Sequence, residues 1–269
     1  MQRKQPIGIF DSGIGGLSVL KEIQALLPNE DLIYIADSAY APYGNKSHAF
    51  ILQRCGALSR FLLEQQAKAI VIACNTATAV AVTKLREQFS LPIIAMEPGV
   101  KPAIAATQTG VVGVLATENT LASEQFTRLL HRYAENVQVI CQPCPGLVEQ
   151  IESGEFDSAK TQGLIGQYAG PLLNAGADTI VLGCTHYPLI REQISSVVGP
   201  GISIIETGQA VAQQLKRKLD ESALANSSAS NVTVQIWTSG DSAHIGHIVN
   251  RIQQQPCQVT RLPELTGTA

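Results

Sequence analysis

Short apolar runs alternate with longer amphipathic stretches along this chain. Ile7-Gly8-Ile9-Phe10, Asp31 to Ala36 and Ala69-Ile70-Val71-Ile72 are rich in β-branched residues and give way to polar or small ones, the pattern of buried strands. After the first of them, Leu20, Ile23, Leu26 and Leu27 recur with a period near 3.6 and predict a helix with one apolar face. The same order returns downstream. Val112-Gly113-Val114-Leu115-Ala116-Thr117 parallels Ile7 to Ser12, Val137 to Cys141 follows as the next strand, and Thr179-Ile180-Val181-Leu182 parallels Ala69 to Ile72. The last pair aligns residue for residue, with Ala67/Ala177, Ala69/Thr179, Ile70/Ile180 and Val71/Val181 at one constant offset. A further apolar run closes each copy, ending in Ala95-Met96-Glu97-Pro98-Gly99 and Ile204-Ile205-Glu206-Thr207-Gly208. Strands alternating with helices predict an α/β fold: two similar, pseudo-symmetric domains with mostly parallel sheets flanked by helices. The junctions place the first domain at residues 1–97 plus 208–269 and the second at 98–207. The C-terminal stretch then packs back on the first half, with a loop over Ser222 to Asn231 and a strand over Val232 to Trp237.

Composition narrows the classes. The chain has 269 residues, 45% of them hydrophobic, with a net charge of −3. That fits a globular protein and carries no electrostatic footprint for nucleic acid or an anionic membrane. Lys216-Arg217-Lys218, a short basic run, is expected on a solvated helix face. No stretch approaches the roughly 20 apolar residues of a membrane span. The polar start, Met1 to Gln5, runs directly into a strand and does not read as a secretory signal, so a cytoplasmic protein is expected.

Six cysteines stand at positions 55, 74, 141, 144, 184 and 257. In a reducing compartment they are thiols rather than a disulfide frame. Cys141-Gln142-Pro143-Cys144 lacks a second CxxC or an HxxxH at zinc spacing, and is expected to be two small buried residues at a strand end. His244 and His247 share a helix face after Asp241 without an evident third ligand, so no metal is expected.

Two of the cysteines occupy equivalent places in the repeat. Cys74 leaves one buried strand in Ala73-Cys74-Asn75-Thr76, and Cys184 leaves its counterpart in Gly183-Cys184-Thr185-His186. One cysteine at a strand end is ordinarily a small buried hydrophobe. Two at matching places, both followed by polar residues, let the two halves present thiols face to face. The ends of parallel strands are where open α/β sheets bind ligands, and helix N-termini there hold carboxylates. Asp11 and Ser12 end the neighbouring strand. The turn that follows them, Gly13-Ile14-Gly15-Gly16, fits neither GxGxxG nor the P-loop and is expected to display those two side chains. Two thiols around a carboxylate-holding pocket suit a racemase, which removes a proton from one face of a carbon and returns one to the other. Asp11 and His186 are placed to set the thiols' protonation.

Four segments carry a resemblance. Gly8-Ile9-Phe10-Asp11-Ser12-Gly13-Ile14-Gly15-Gly16-Leu17, Ala36-Asp37-Ser38-Ala39-Tyr40-Ala41-Pro42-Tyr43-Gly44, Ala73 to Thr78 and Gly183 to Pro188 resemble the glutamate racemases of the aspartate/glutamate racemase superfamily. The resemblance implies an active site in the cleft between the domains and a two-base mechanism with no cofactor, metal or pyridoxal phosphate. It implies that Cys74 takes the α-proton of D-glutamate and Cys184 that of L-glutamate. Substrate contacts carry over to Asp11, Ser12, Tyr43, Gly44, Asn75, Thr76, Thr185 and His186. Glu152 matches an acid assisting near the second cysteine, although on an amphipathic helix it also reads as solvated. The implied role is a supply of D-glutamate for peptidoglycan in a bacterium, with a homodimer among the implied associations. One departure is Glu206-Thr207, where many relatives have Asp-Ser. Three alternatives stand beside this reading: a racemase of aspartate or another acidic amino acid, a solute-binding protein, and a thiol-disulfide enzyme built on Cys141 and Cys144.

Overall fold

In a computed structural model, which describes residues 3–228, 232–254 and 256–265, the chain forms two parallel sheets. The strands are β1 (Ile7–Asp11), β2 (Leu32–Ala36), β3 (Ala69–Ile72), β4 (Ile93–Ile94), β5 (Val111–Ala116), β6 (Gln138–Pro143), β7 (Thr179–Leu182), β8 (Ser203–Ile205), β9 (Val234–Thr238) and β10 (Val259–Arg261). The first sheet has the order β10-β9-β2-β1-β3-β4 and the second β6-β5-β7-β8. The order β2-β1-β3-β4 is thus repeated as β6-β5-β7-β8, which is the sequence repeat expressed in space. Register follows: Ile9 lies opposite Val71 in one sheet, and Val114 opposite Val181 in the other. β1 and β3 are buried along their whole length, because helices cover both faces of a parallel sheet.

The C-terminal segment extends the first sheet, with β9 beside β2 and β10 beside β9. The helix Gly208–Glu221 packs on the helix Leu17–Leu26. Val211, Ala212, Leu215 and Leu219 form its buried stripe, while Lys216 and Lys218 point outward to Asp220 and Glu221. β9 starts two residues later than the Val232 boundary, and the last part of the expected loop, residues 229–231, lies outside the described residues. Cys141 corrects an expectation: it is exposed, and only Cys144 is buried. The reason is sheet order. β6 is an edge strand, and none of its residues is fully buried, with Gln138 and Cys141 exposed. Among the described residues no helix is long and apolar enough to cross a membrane, and no group of three or more His, Cys, Asp or Glu is gathered for a metal.

Candidate active site

The C-terminal ends of β1, β3, β5 and β7 face one another, and the side chains just beyond them line a narrow, partly open cavity between the two sheets. Cys74 and Cys184 both line it, with Ser12, Tyr43, Gly44, Asn75, Thr76, Thr185 and His186. Every substrate-contact residue carried over from the resemblance is therefore at this cavity except Asp11, which stands directly behind it.

Each thiol is placed by its local sequence. Cys74 leaves β3 in an extended conformation and caps the helix Asn75–Gln88, its sulfur accepting a hydrogen bond from Ala77 N at 3.4 Å. Small and hydroxylated residues in that first turn keep the helix start free of bulk. Ser12 Oγ lies 3.7 Å from the Cys74 sulfur. Cys184 leaves β7 into a short 3₁₀ turn over Tyr187–Ile190, and its sulfur lies 3.7 Å from His186 Nδ1. The other ring nitrogen, Nε2, is 2.5 Å from Glu152 Oε1.

Glu152 ends the helix Leu147–Glu152 and crosses from the second half to the first. Its Oε1 also accepts from Ile14 N at 2.6 Å, and its Oε2 accepts from Ser38 Oγ at 2.9 Å. The alternative of a solvated Glu152 gives way to this: three groups hold the carboxylate, two of them from the other half. The glycine turn acquires its reason here. A Cβ on Gly13 would stand 1.9 Å from Glu152 Oε1, and one on Gly15 would stand 2.3 Å from His186 Nδ1. The turn brings Ser12 to the cavity as expected but leaves Asp11 buried behind it, and it also has to admit two side chains from the second half.

Asp11 is fully buried at the end of β1. Oδ1 accepts from Ser12 N at 2.5 Å and Ser12 Oγ at 3.1 Å, and Oδ2 accepts from Thr185 Oγ1 at 3.0 Å. Burial raises its pKa, partly offset by the nearby His186 charge. Cys74 is pushed well above an ordinary thiol, first by burial and then by the Asp11 charge, and the Ala77 amide only partly opposes this. Burial works against charge on His186, yet its hydrogen bonds to Cys184 and Glu152 outweigh that and raise its pKa well above the usual histidine range. The first thiol is therefore held protonated, and the second has an imidazolium beside it.

One side chain is unsatisfied in a way that points to a ligand. The Asn75 amide nitrogen and oxygen are both buried without a protein partner, although such groups are almost always paired. Several participants were not singled out from sequence. Thr117 and Thr120 join Thr76, which was expected at the site, in a triangle of hydroxyls with edges of 2.8, 3.1 and 2.9 Å that links the two halves. Ser38 and Asn119 also bond across the cleft. Their only sequence signal is position just beyond a strand end. Cys141 and Cys144 contribute no thiol to the cavity.

Comparison with known proteins gives the lineage. The model of the Asp/Glu/Hydantoin racemase family matches residues 7–215. A glutamate racemase from Herpetosiphon aurantiacus is 54% identical over 91% of this chain and 97% of its own length. One from Ectopseudomonas mendocina is 51% identical over 96% and 98%. Among solved structures, Escherichia coli glutamate racemase in complex with L-glutamate and the activator UDP-MurNAc-ala superposes with a TM-score of 0.87. It shares 31% identity over 98% of this chain and all of its own. The chain belongs to the Asp/Glu/Hydantoin racemase family and is an amino-acid racemase.

Proposed function

We propose that this protein is a glutamate racemase that interconverts L- and D-glutamate with two thiols and no cofactor, in the bacterial cytoplasm, supplying D-glutamate for peptidoglycan. The observation that carries the mechanism is the pair Cys74 and Cys184 in one cavity, each delivered by an equivalent strand end, together with the unpaired amide of Asn75. Glutamate in the relatives' names supports the substrate.

In the L to D direction the Cys184 thiolate takes the α-proton from one face. The Cys74 thiol gives its proton to the opposite face, leaving a thiolate behind. In the D to L direction the roles reverse. The raised Cys74 thiol is suited to give the proton in the L to D direction, and the His186 imidazolium lies beside the Cys184 sulfur. Asn75, Thr76 and Thr185, with the backbone of Tyr43 and Gly44, supply polar groups for the two carboxylates. Asp11 acts on the Cys74 side, and His186 with Glu152 on the Cys184 side.

The test uses chelator-dialysed protein incubated with L-glutamate and no additive, followed by loss of optical activity. Racemisation to equal amounts of both enantiomers is expected. Activity that appears only on adding pyridoxal phosphate or a metal ion, or with aspartate and not glutamate, overturns the reading.

A further inference from the structure

The turn Tyr43–Asn45, which brings Gly44 to the cavity, is held from two sides by unlike means. On its own half the hold is buried. Tyr43 Oη donates to Asp37 Oδ2 at 2.5 Å, and Arg54 grips the same carboxylate through Nε at 2.9 Å and an Nη nitrogen at 2.6 Å. The guanidinium also lies 4.1 Å above the centre of the Tyr40 ring. Such a bidentate, desolvated pair fixes the turn to the first half.

From the second half the half-buried Asn119 side chain reaches the same turn. Asn119 Nδ2 donates to Tyr43 O at 3.0 Å and to Lys46 O at 2.9 Å, so one amide clasps both ends of the turn. The fit beside it is close: a Cβ on Gly44 would meet the Thr117 Cβ at 2.8 Å. This seam is also a wall. A second cavity lies outside it, and Pro42, Gly44, Thr117 and Val148 line both cavities. Parting the turn from Thr117 joins the inner cavity to the outer one. Of the two holds, the neutral pair from Asn119 is the one that opens without breaking a buried ion pair.

We propose that Asn119 is a positioning residue that latches the seam between the Tyr43–Lys46 turn and the second half, so that the pocket admits substrate when the latch opens and binds it when the latch closes. This rests on the racemase reading above for its substrate. The latch favours the closed state equally for both enantiomers, since it touches neither reacting face. Its loss lowers the closed population, and apparent affinity falls by the same factor.

The test combines kinetics and hydrogen exchange on the full chain. Asn119→Ala is expected to raise KM roughly 10-fold for both L- and D-glutamate, the scale of two neutral hydrogen bonds. The primary deuterium isotope effect at saturating substrate is expected to stay unchanged, because proton transfer is untouched. Amide exchange in the peptide spanning residues 41–50 is expected to speed up while strand amides of β1 and β3 keep their protection. Asn119→Gln, which keeps the donor, should recover part of the affinity. If Asn119→Ala folds poorly, Asn119→Asp supplies the same readouts, since it keeps the size and removes both donors. Unchanged KM and unchanged exchange overturn the latch, as does a fall in kcat with KM preserved. If the unsubstituted protein does not act on glutamate, the racemase reading fails. The exchange measurement needs no substrate and still decides the latch.

Discussion

The two thiols occupy equivalent ends of a repeated fold, yet their surroundings have almost nothing in common. Around Cys74 stand a carboxylate and a hydroxyl, Asp11 and Ser12. Around Cys184 stands an imidazole backed by a carboxylate, His186 and Glu152. The difference traces to single positions in the repeat. β1 ends in Asp11-Ser12 where β5 ends in Ala116-Thr117, and Cys74 is followed by Asn75-Thr76 where Cys184 is followed by Thr185-His186. The carboxylates of the second tier diverge as well. Asp37, just beyond β2, is tied to Arg54 and Tyr43, whereas Glu152, beyond β6, crosses the cleft to His186. The fold supplies geometric symmetry for a reaction with two mirror-related halves. The site residues then break the electrostatic symmetry: the Cys74 thiol is held protonated by burial and Asp11, while Cys184 has the His186 imidazolium beside it.

Removing a thiol breaks the comparison most severely. Cys74→Ala and Cys184→Ala should each lower kcat in both directions by more than the ~10²- to 10⁴-fold of an ordinary acid/base group, because nothing else serves the vacated face. Steady-state racemisation checks this, with Cys141→Ala and Cys144→Ala as controls expected to retain activity. Burial pushes the Cys144 thiol up to about 12, so it does not ionise near neutral pH.

Next in size is the glycine turn. Gly15→Ala puts a methyl group where the His186 ring lies, 2.3 Å from Nδ1. Relief requires moving the ring or the backbone, at a cost of roughly 1–3 kcal/mol. Both kcat/KM values should fall together, since the overall equilibrium is fixed, while thermal unfolding shows the loss of stability directly. Retained kcat/KM and unchanged unfolding would mean that the turn tolerates the approach differently.

The smallest effect sharpens the electrostatic side. His186 has a folded-state pKa raised well above its unfolded value of about 6.5. A raised pKa stabilises the fold fully below the unfolded value, and that contribution is lost as pH rises through the folded value. Between pH 6.5 and 8 the unfolding temperature should therefore decline with pH, and His186→Asn should flatten that decline. A slope that is the same in both proteins contradicts the assignment.

Much of the architecture was legible because it is written locally. β-branched runs marked the strands, the constant offset between Ala67 to Val71 and Ala177 to Val181 marked the repeat, and the strand exits marked both cysteines. What escaped is what depends on how the halves meet. Glu152 was expected as an acid near the second cysteine, but its bonds to Ile14 and Ser38 were not legible, because they form only where the first half approaches its short helix. Asn119, Thr117 and Thr120 act across the same boundary, which no local period records. Cys141 was expected to be buried because the alternation along β6 says nothing about which strand becomes the edge. The glycines after Ser12 signalled a turn, but the side chains that require them lie more than a hundred residues away.

The central claim is that each thiol has its own partner, Asp11 for Cys74 and His186 for Cys184. It is tested most directly by primary deuterium isotope effects with α-deuterated L- and D-glutamate on the Asp11→Asn and His186→Asn variants. His186→Asn should raise the isotope effect on kcat for L-glutamate, because proton removal by Cys184 becomes slower, and Asp11→Asn should raise it for D-glutamate. Both variants shifting the same direction's isotope effect, or neither shifting any, contradicts one partner per thiol and leaves these residues as substrate-binding groups.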